Sequence, residues 1–152
     1  MNDKIKLSAS CVVFRDNKVL LVRHTYGAAK GKYVIPGGFS EIEELPAKTA
    51  EREVYEESKI KVIAKNIMAV RFTNKEVWFV YSAEYVSGEP ESDLSENDSA
   101  IFMDTDVAIE STEVVETTKV IIKSLLSPHK NSLSKSDFVN SKFDKDEWQL
   151  YL

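Results

Sequence analysis

The chain carries GFSEIEE at residues 38–44 and, after a gap of seven residues, REVYEESKI at residues 52–60. Leu45 and Pro46 follow the first stretch, and proline is favoured in the first turn of a helix. With about 100° of rotation per residue, Ala47, Ala50 and Val54 form one apolar stripe. The sequence therefore predicts an amphipathic helix over residues 46–58, with this stripe packed against a core.

Three glutamates stand beside this stripe on the predicted helix. Glu53, Glu56 and Glu57 share an arc of about 100° of its circumference. Carboxylates this close repel one another unless a cation lies among them, and oxygen ligands suit a hard divalent ion. An acidic helix is more commonly a solvated face. The upstream glycines Gly37 and Gly38 favour the metal site, because glycine lets backbone approach a ligand closely.

The two stretches resemble the Nudix box. That pattern is Gly, five residues, Glu, seven residues, Arg-Glu, an aliphatic residue, any residue, Glu-Glu, any residue, Gly and an aliphatic residue. Eight of its nine specified positions match: Gly38, Glu44, Arg52, Glu53, Val54, Glu56, Glu57 and Ile60. The ninth is Lys59, where the family has a glycine that closes the helix in a left-handed conformation. We expect lysine there to cost on the order of 1 kcal/mol of stability without removing a metal ligand.

The resemblance implies a metal-dependent pyrophosphohydrolase. Its substrate would be a nucleoside diphosphate linked to another moiety, in the class of ADP-ribose, nucleotide sugars or dinucleoside polyphosphates. A MutT-like nucleoside triphosphate pyrophosphatase is the alternative among enzymes. A nucleotide-sensing Nudix domain without turnover is the alternative outside them. The presence of every box glutamate favours catalysis.

The resemblance also assigns roles to individual residues. Mg2+ is the expected cofactor, with Mn2+ as the other possibility. The expected ligands are three carboxylates and one backbone carbonyl: Glu53, Glu56, Glu57 and Gly37. Glu44 and Arg52 are expected to form an ion pair that orients the ligands, and thus to belong to the catalytic group.

Three residues are candidates for contact with the substrate. Arg23 ends a predicted strand pointing toward the glycines, and its guanidinium suits a phosphate, although an ordinary surface charge is an equal alternative. Gly37 and Gly38 would let the backbone approach the substrate. A further carboxylate, as metal ligand or base, is sought in the acidic loop: Glu91, Asp93, Glu96 and Asp98. The two histidines are expected to be unexceptional: His24 and His129.

The order of predicted elements indicates an α/β fold. Strands are predicted at 7–15, 18–23, 32–35, 60–72, 76–86 and 100–103, with a glycine-rich turn after 35 and a second helix at 111–126. Strands interleaved with two helices imply a mixed β-sheet covered on both faces, an α/β/α sandwich, which is also the Nudix-type fold. We therefore predict a Nudix domain at residues 1–126. Residues 127–152 form a polar extension with an apolar end, expected to dock on the domain or on a partner subunit.

Composition limits the kinds of binding partner that the chain can have. A net charge of −5 argues against a broad grip on DNA or RNA, and a nucleotide-type small molecule remains compatible. The sequence has no apolar run long enough to cross a membrane. The single cysteine, Cys11, fits a reducing cytoplasm and a buried thiol. A homodimer is the default expectation for a symmetric oligomer.

Overall fold

A computed structural model describes residues 4–128, 133, 136–144 and 147–152. These residues form eight strands and three helices. In chain order they are β1 (Lys6–Arg15), β2 (Lys18–His24), β3 (Tyr33–Val34), β4 (Gly37–Phe39), α1 (Pro46–Ser58), β5 (Lys61–Thr73), β6 (Glu76–Ser87), β7 (Asn97–Asp104), α2 (Thr105–Glu110), α3 (Glu116–Leu126) and β8 (Trp148–Tyr151).

The strands form one mixed sheet in the order β3-β2-β1-β6-β5-β8, with β4 paired to β1 and β7 paired to β2. Strand β1 runs parallel to β6, and the other pairs are antiparallel. The first half of β1 pairs with β4, whereas its last residues pair with β2. This division places the glycines of β4 beside the first half of β1.

Each face of the sheet has its own core. Successive side chains of a strand point to opposite faces. Cys11 of β1 accordingly packs in one cluster with Val54 of α1, and Val12 packs in the other with Ile122 of α3. The chain is therefore an α/β/α sandwich, as the sequence predicted.

The first helix is confirmed over its predicted range, but the second prediction is wrong in part. Helix α3 begins at Glu116 rather than at 111, because Val114 forms a β-bridge with Tyr33. β-branched valine favours this extended backbone. The six-residue helix α2 was not predicted, since it is too short to show helical periodicity. The sequence predicts no strand after 100–103, yet β8 follows β7.

The C-terminal extension returns to the sheet. Its strand β8 pairs with β5, and Trp148 and Leu150 are buried in the core cluster that contains α3. The Ser136 N–H donates to the Leu150 carbonyl at 2.8 Å, and the Phe138 ring lies edge-on to Trp148. The described part of the extension thus packs on the body of the domain. Within the described residues, no helix has the length and apolar character needed to span a membrane.

Helix α1 ends at Ser58 and is followed by Lys59, which has the left-handed conformation expected at the family's glycine position. Its φ is 63° and its N–H donates to the Tyr55 carbonyl at 2.8 Å. A non-glycine residue is strained there. We expect Lys59→Gly to raise the free energy of unfolding by about 1 kcal/mol, measured by urea denaturation. Lys59→Ala retains the strained Cβ and should give no such gain; equal gains in both variants would contradict this explanation.

Candidate active site

Gly37 and Gly38 lie in strand β4, which corrects the predicted turn. Neither has a positive φ. A Cβ on Gly37 would lie 1.8 Å from the Ser10 Oγ, and a Cβ on Gly38 would lie 2.5 Å from the Glu53 Cδ. Glycine is therefore required by close approach rather than by backbone conformation, and β4 packs directly against the box helix.

Glu57 is the most deeply buried acidic residue of the box, with 1% of its surface exposed. Its Oε1 accepts the Gly37 N–H at 3.0 Å. Its buried Oε2 has no hydrogen-bond partner among the described residues, and the His24 Nε2 lies 3.8 Å away. Burial raises the pKa of Glu57, and the contacts with His24 and Gly37 oppose that rise. A buried carboxylate oxygen without a donor is costly unless a cation or proton meets it.

Arg52 is the centre of an ion-pair network. Its Nε and Nη2 donate to both oxygens of Glu44, at 2.8 and 2.9 Å, in a bidentate pair. Its Nη1 donates to Glu53 at 2.9 Å and to Glu56 at 3.1 Å, and its Nη2 also donates to the Phe39 carbonyl. The expected pair of Glu44 with Arg52 is present, and Arg52 additionally binds two of the expected metal ligands.

This network predicts an acid-dependent stability. Arg52 hydrogen bonds lower the pKa of Glu44 from 4.5 to about 2, and Thr49 assists. Because the folded pKa is depressed, ionised Glu44 stabilises the fold above pH 4.5 and loses this effect as the pH falls toward 2. We expect Glu44→Gln to be less stable than wild type at pH 7, with the difference shrinking as the pH falls through that range, measured by urea unfolding.

The matched control for this pH dependence is Glu84→Gln. Glu84 pairs with Lys65 on the surface, with about half of each side chain exposed. Exposed pairs contribute little, so this variant should track wild type at every pH. A Glu44→Gln difference that stays constant down to pH 2 would show that the Arg52 contact does not depend on the charge of Glu44.

Glu53 lies between Arg52 and the glycine strand. Burial raises its pKa to about 7, contact with Arg52 opposes the rise, and the charges of Glu57 and Glu56 add to it. Two neighbouring carboxylates in a poorly hydrated place resist ionising together. A cation among them would remove that conflict.

These residues fit a hard divalent cation. No three acidic, histidine or cysteine side chains in the described part of the chain are already grouped as a metal site. Arg52 holds Glu53 and Glu56, and Gly37 holds Glu57. All three glutamates nevertheless project from one helix, all donors are oxygen, and one buried oxygen is unpartnered. Such a set suits Mg2+ or Mn2+.

Arg23 is not brought to the box carboxylates. Its Nε donates to the Asp98 Oδ1 at 2.7 Å, and its guanidinium lies 5.6 Å from the centre of the Tyr33 ring. Both groups are partly exposed. Contact of Arg23 with a substrate phosphate therefore stays a prediction, and the structure shows it as a partly exposed charge paired with Asp98.

Two residues near the site were not found by sequence reasoning. His24 was expected to be unexceptional, yet it lies beside Glu57 and stacks on Tyr26 with ring centres 5.2 Å apart. Asn97 is fully buried, and its Nδ2 donates to the Glu57 carbonyl at 2.9 Å. Strand alternation gave a signal for His24, since Leu20 on the same strand packs with α1. The sequence gave no signal for the role of Asn97. The other histidine, His129, lies outside the described residues.

The acidic loop contributes one charge near the site. Glu96 adds to the rise in the pKa of Glu57. Asp93 instead accepts the N–H groups of Ser95 and Asn97, and so shapes the loop. Asp98 is paired with Arg23. The charge of Glu96 thus reaches Glu57, and which loop carboxylate serves as a further ligand or base stays a prediction.

Comparison with known proteins places this architecture in a family. Residues 4–125 match the NUDIX domain. This covers most of the chain, so the chain belongs to the NUDIX domain family, the Nudix hydrolases. Members of that family generally use divalent metal ions.

Individual relatives are more distant. A probable DHNTP pyrophosphohydrolase of Lactococcus lactis subsp. cremoris is 36% identical over 58 residues, which are 38% of this chain and 33% of the relative. The chain thus matches about a third of the length of that relative. A MutT NUDIX hydrolase from Burkholderia pseudomallei has the same fold, with a TM-score of 0.71 at 19% identity over 80% of this chain and 98% of the other. An ADP-ribose pyrophosphatase from Streptococcus suis has a TM-score of 0.64 at 19% identity, over 83% of this chain and 96% of the other.

Proposed function

We propose that the chain is a metal-dependent pyrophosphohydrolase that cleaves the diphosphate linkage of a nucleoside diphosphate joined to another moiety. The observation that carries the proposal is the buried Glu57 Oε2, which has no donor among the described residues and lies on the same helix as Glu53 and Glu56. A merely structural acidic helix would expose Glu53 and Glu57, whose side chains are only 12% and 2% exposed. The ADP-ribose pyrophosphatase among the structural neighbours supports this substrate class.

A nucleoside triphosphate type of substrate is the second candidate. The Lactococcus relative is named a probable DHNTP pyrophosphohydrolase, and the Burkholderia structure is named a MutT NUDIX hydrolase. Both candidate classes contain a phosphoanhydride bound to a nucleoside-like group. The same carboxylates would serve either, so the two candidates differ only in what lies beyond the diphosphate.

The residues divide the work in the following way. Glu53, Glu56 and Glu57 would hold Mg2+ or Mn2+, with the Gly37 backbone carbonyl as an additional ligand. A bound divalent cation offsets negative charge at phosphorus and lowers the pKa of a bound water. Arg52 and Glu44 orient the glutamates through the bidentate pair, and His24 borders the Glu57 carboxylate. A carboxylate of this group accepts the proton of the attacking water.

Product release from a substrate panel tests the proposal. The panel contains ADP-ribose, a nucleotide sugar, a dinucleoside polyphosphate and nucleoside triphosphates, each with Mg2+, with Mn2+ and with EDTA. We expect metal-dependent turnover of one compound class and none in EDTA, with a nucleoside monophosphate as a product. Tight nucleotide binding without turnover anywhere on the panel would instead support a sensor.

A further inference from the structure

Asn97, the first residue of β7, is a fully buried polar side chain at the end of helix α1. Its Nδ2 donates to the Glu57 carbonyl at 2.9 Å, and its Oδ1 has no hydrogen-bond partner among the described residues. A buried acceptor without a donor costs free energy. The stability of the fold alone therefore explains this asparagine poorly, and its bond to Glu57 is the feature that needs an explanation.

The C-terminal end of α1 is bonded to the segment of residues 91–97. The last four carbonyls of a helix have no N–H of their own helix to accept. In α1 the Glu57 carbonyl accepts the Asn97 side chain, and the Ser58 carbonyl accepts the Glu91 N–H at 2.9 Å. The last turn of α1, which carries Glu56 and Glu57, is thus fixed by this segment rather than by the helix itself.

The segment holds Asn97 in a fixed position. The Asp93 Oδ1 accepts the Asn97 N–H at 3.0 Å, and the Ser92 Oγ donates to the Asn97 carbonyl at 2.9 Å. The neighbouring Glu96 carbonyl accepts the Thr25 N–H at 3.0 Å, which ties the segment to the chain just after β2. The N–H, the carbonyl and the Nδ2 of Asn97 are therefore all bonded. Such a residue can act as a rigid support for its neighbour.

Glu57 is held from two directions as a result. The Gly37 N–H of β4 binds the Glu57 Oε1 at 3.0 Å, and Asn97 of β7 binds the main-chain carbonyl. The first bond directs the carboxylate and the second fixes the backbone from which it projects. Together they leave the buried Oε2 without a donor among the described residues. A ligand must be held to within about 0.5 Å of its productive position to bind a metal tightly.

We propose that Asn97 is a positioning residue for the cation site, and that its bond to the Glu57 carbonyl holds the Glu57 carboxylate where a divalent cation binds. Asn97 acts through Glu57 and does not touch the cation. The proposal rests on the proposed function for the assignment of Glu57 as a metal ligand. Groups that orient metal ligands in this way commonly change metal affinity when they are replaced.

Binding of Mn2+ to the whole chain, without nucleotide, tests this role. The free Mn2+ signal in electron paramagnetic resonance gives the affinity, and urea unfolding gives the stability of each variant. Asn97→Leu has a similarly branched side chain without the donor, and we expect it to bind Mn2+ about tenfold to hundredfold more weakly. Asn97→Ala should lose as much affinity, although the cavity it leaves should give it a different unfolding midpoint. Equal losses of affinity with unequal losses of stability would identify the missing bond as the cause.

The matched control is Ser58→Ala. Ser58 is also fully buried at the end of α1, and its Oγ donates to the Val54 carbonyl at 2.6 Å. This variant removes a buried side-chain bond from the same helix end without touching Glu57 or Asn97. Its unfolding midpoint should fall, while its Mn2+ affinity stays within about threefold of wild type because no contact to a ligand is lost. Glu57→Gln should remove most of the Mn2+ binding and so confirm which site is measured.

The outcomes separate this role from the proposed hydrolysis. Wild-type Mn2+ affinity in both Asn97 variants, or a loss no larger than that of Ser58→Ala, would overturn the positioning role. Turnover of the substrate panel is scored apart, so weakened Mn2+ binding in a chain that hydrolyses nothing would count only against the proposed function. A wild type that binds no Mn2+, or binds it equally well with Glu57→Gln, would overturn both.

Discussion

Glu57→Gln is expected to lower kcat for diphosphate hydrolysis by about a hundredfold to ten-thousandfold. Glutamine has nearly the same shape, and its carbonyl can still accept the Gly37 N–H. It lacks the negative charge that the buried Oε2 position supplies to a cation. The free energy of unfolding should not fall, because the variant removes a charge that burial disfavours. The measurements are kcat at saturating Mg2+, metal affinity by titration calorimetry, and urea unfolding.

Glu51→Gln provides the matched control. Glu51 lies on the same helix, and its Oε1 also accepts a backbone N–H from a neighbouring strand, that of Ala64 at 3.0 Å. Its other oxygen pairs with Lys48 on the surface rather than facing the box. We expect this variant to keep wild-type kcat. If Glu57→Gln kept kcat within about threefold of wild type as well, Glu57 would not be a metal ligand.

Arg52→Ala should show the second largest effect, and it should act on both stability and rate. Without the guanidinium, Glu44 loses its bidentate partner, and Glu53 and Glu56 lose the contact that fixes their positions. We expect kcat and metal affinity to fall by about 10- to 100-fold. The free energy of unfolding should fall by about 1–3 kcal/mol, because partly buried carboxylates are left unpaired.

Two further variants separate these effects. Arg52→Lys keeps the charge but loses the fork that binds both oxygens of Glu44, so it should recover only part of the rate. Lys48→Ala removes an exposed ion pair from the same helix and should change stability by less than about 1 kcal/mol. An Arg52→Ala enzyme that is less stable but fully active would make the pair purely structural and refute its orienting role.

The local part of the site could be predicted from the sequence. Helix α1 was predicted correctly because Ala47, Ala50 and Val54 repeat with helical periodicity and Pro46 marks the first turn. That periodicity alone places Glu53 and Glu57 on neighbouring positions of one surface. The pairing of Glu44 with Arg52 followed from the family resemblance, and the two residues are only eight positions apart.

The long-range part could not be predicted. The contact of Arg23 with Asp98 joins positions 75 apart, and it depends on the pairing of β2 with β7. The position of His24 beside Glu57 depends on how α1 crosses the sheet. The additional bonds of Arg52 to Glu53 and Glu56 depend on the side-chain rotamer of the arginine, which no sequence pattern predicts.

Strand β8 has a consequence for how the protein is made. It supplies the outer neighbour of β5, yet α1, β5 and every remaining strand are synthesised before it. Until residues 148–151 leave the ribosome, β5 presents open hydrogen-bonding groups that another chain could pair with. The arrival of Trp148 and Leu150 covers that edge and fills the core beneath it. Nascent chains that stall before this point are thus the form of the protein most exposed to aggregation.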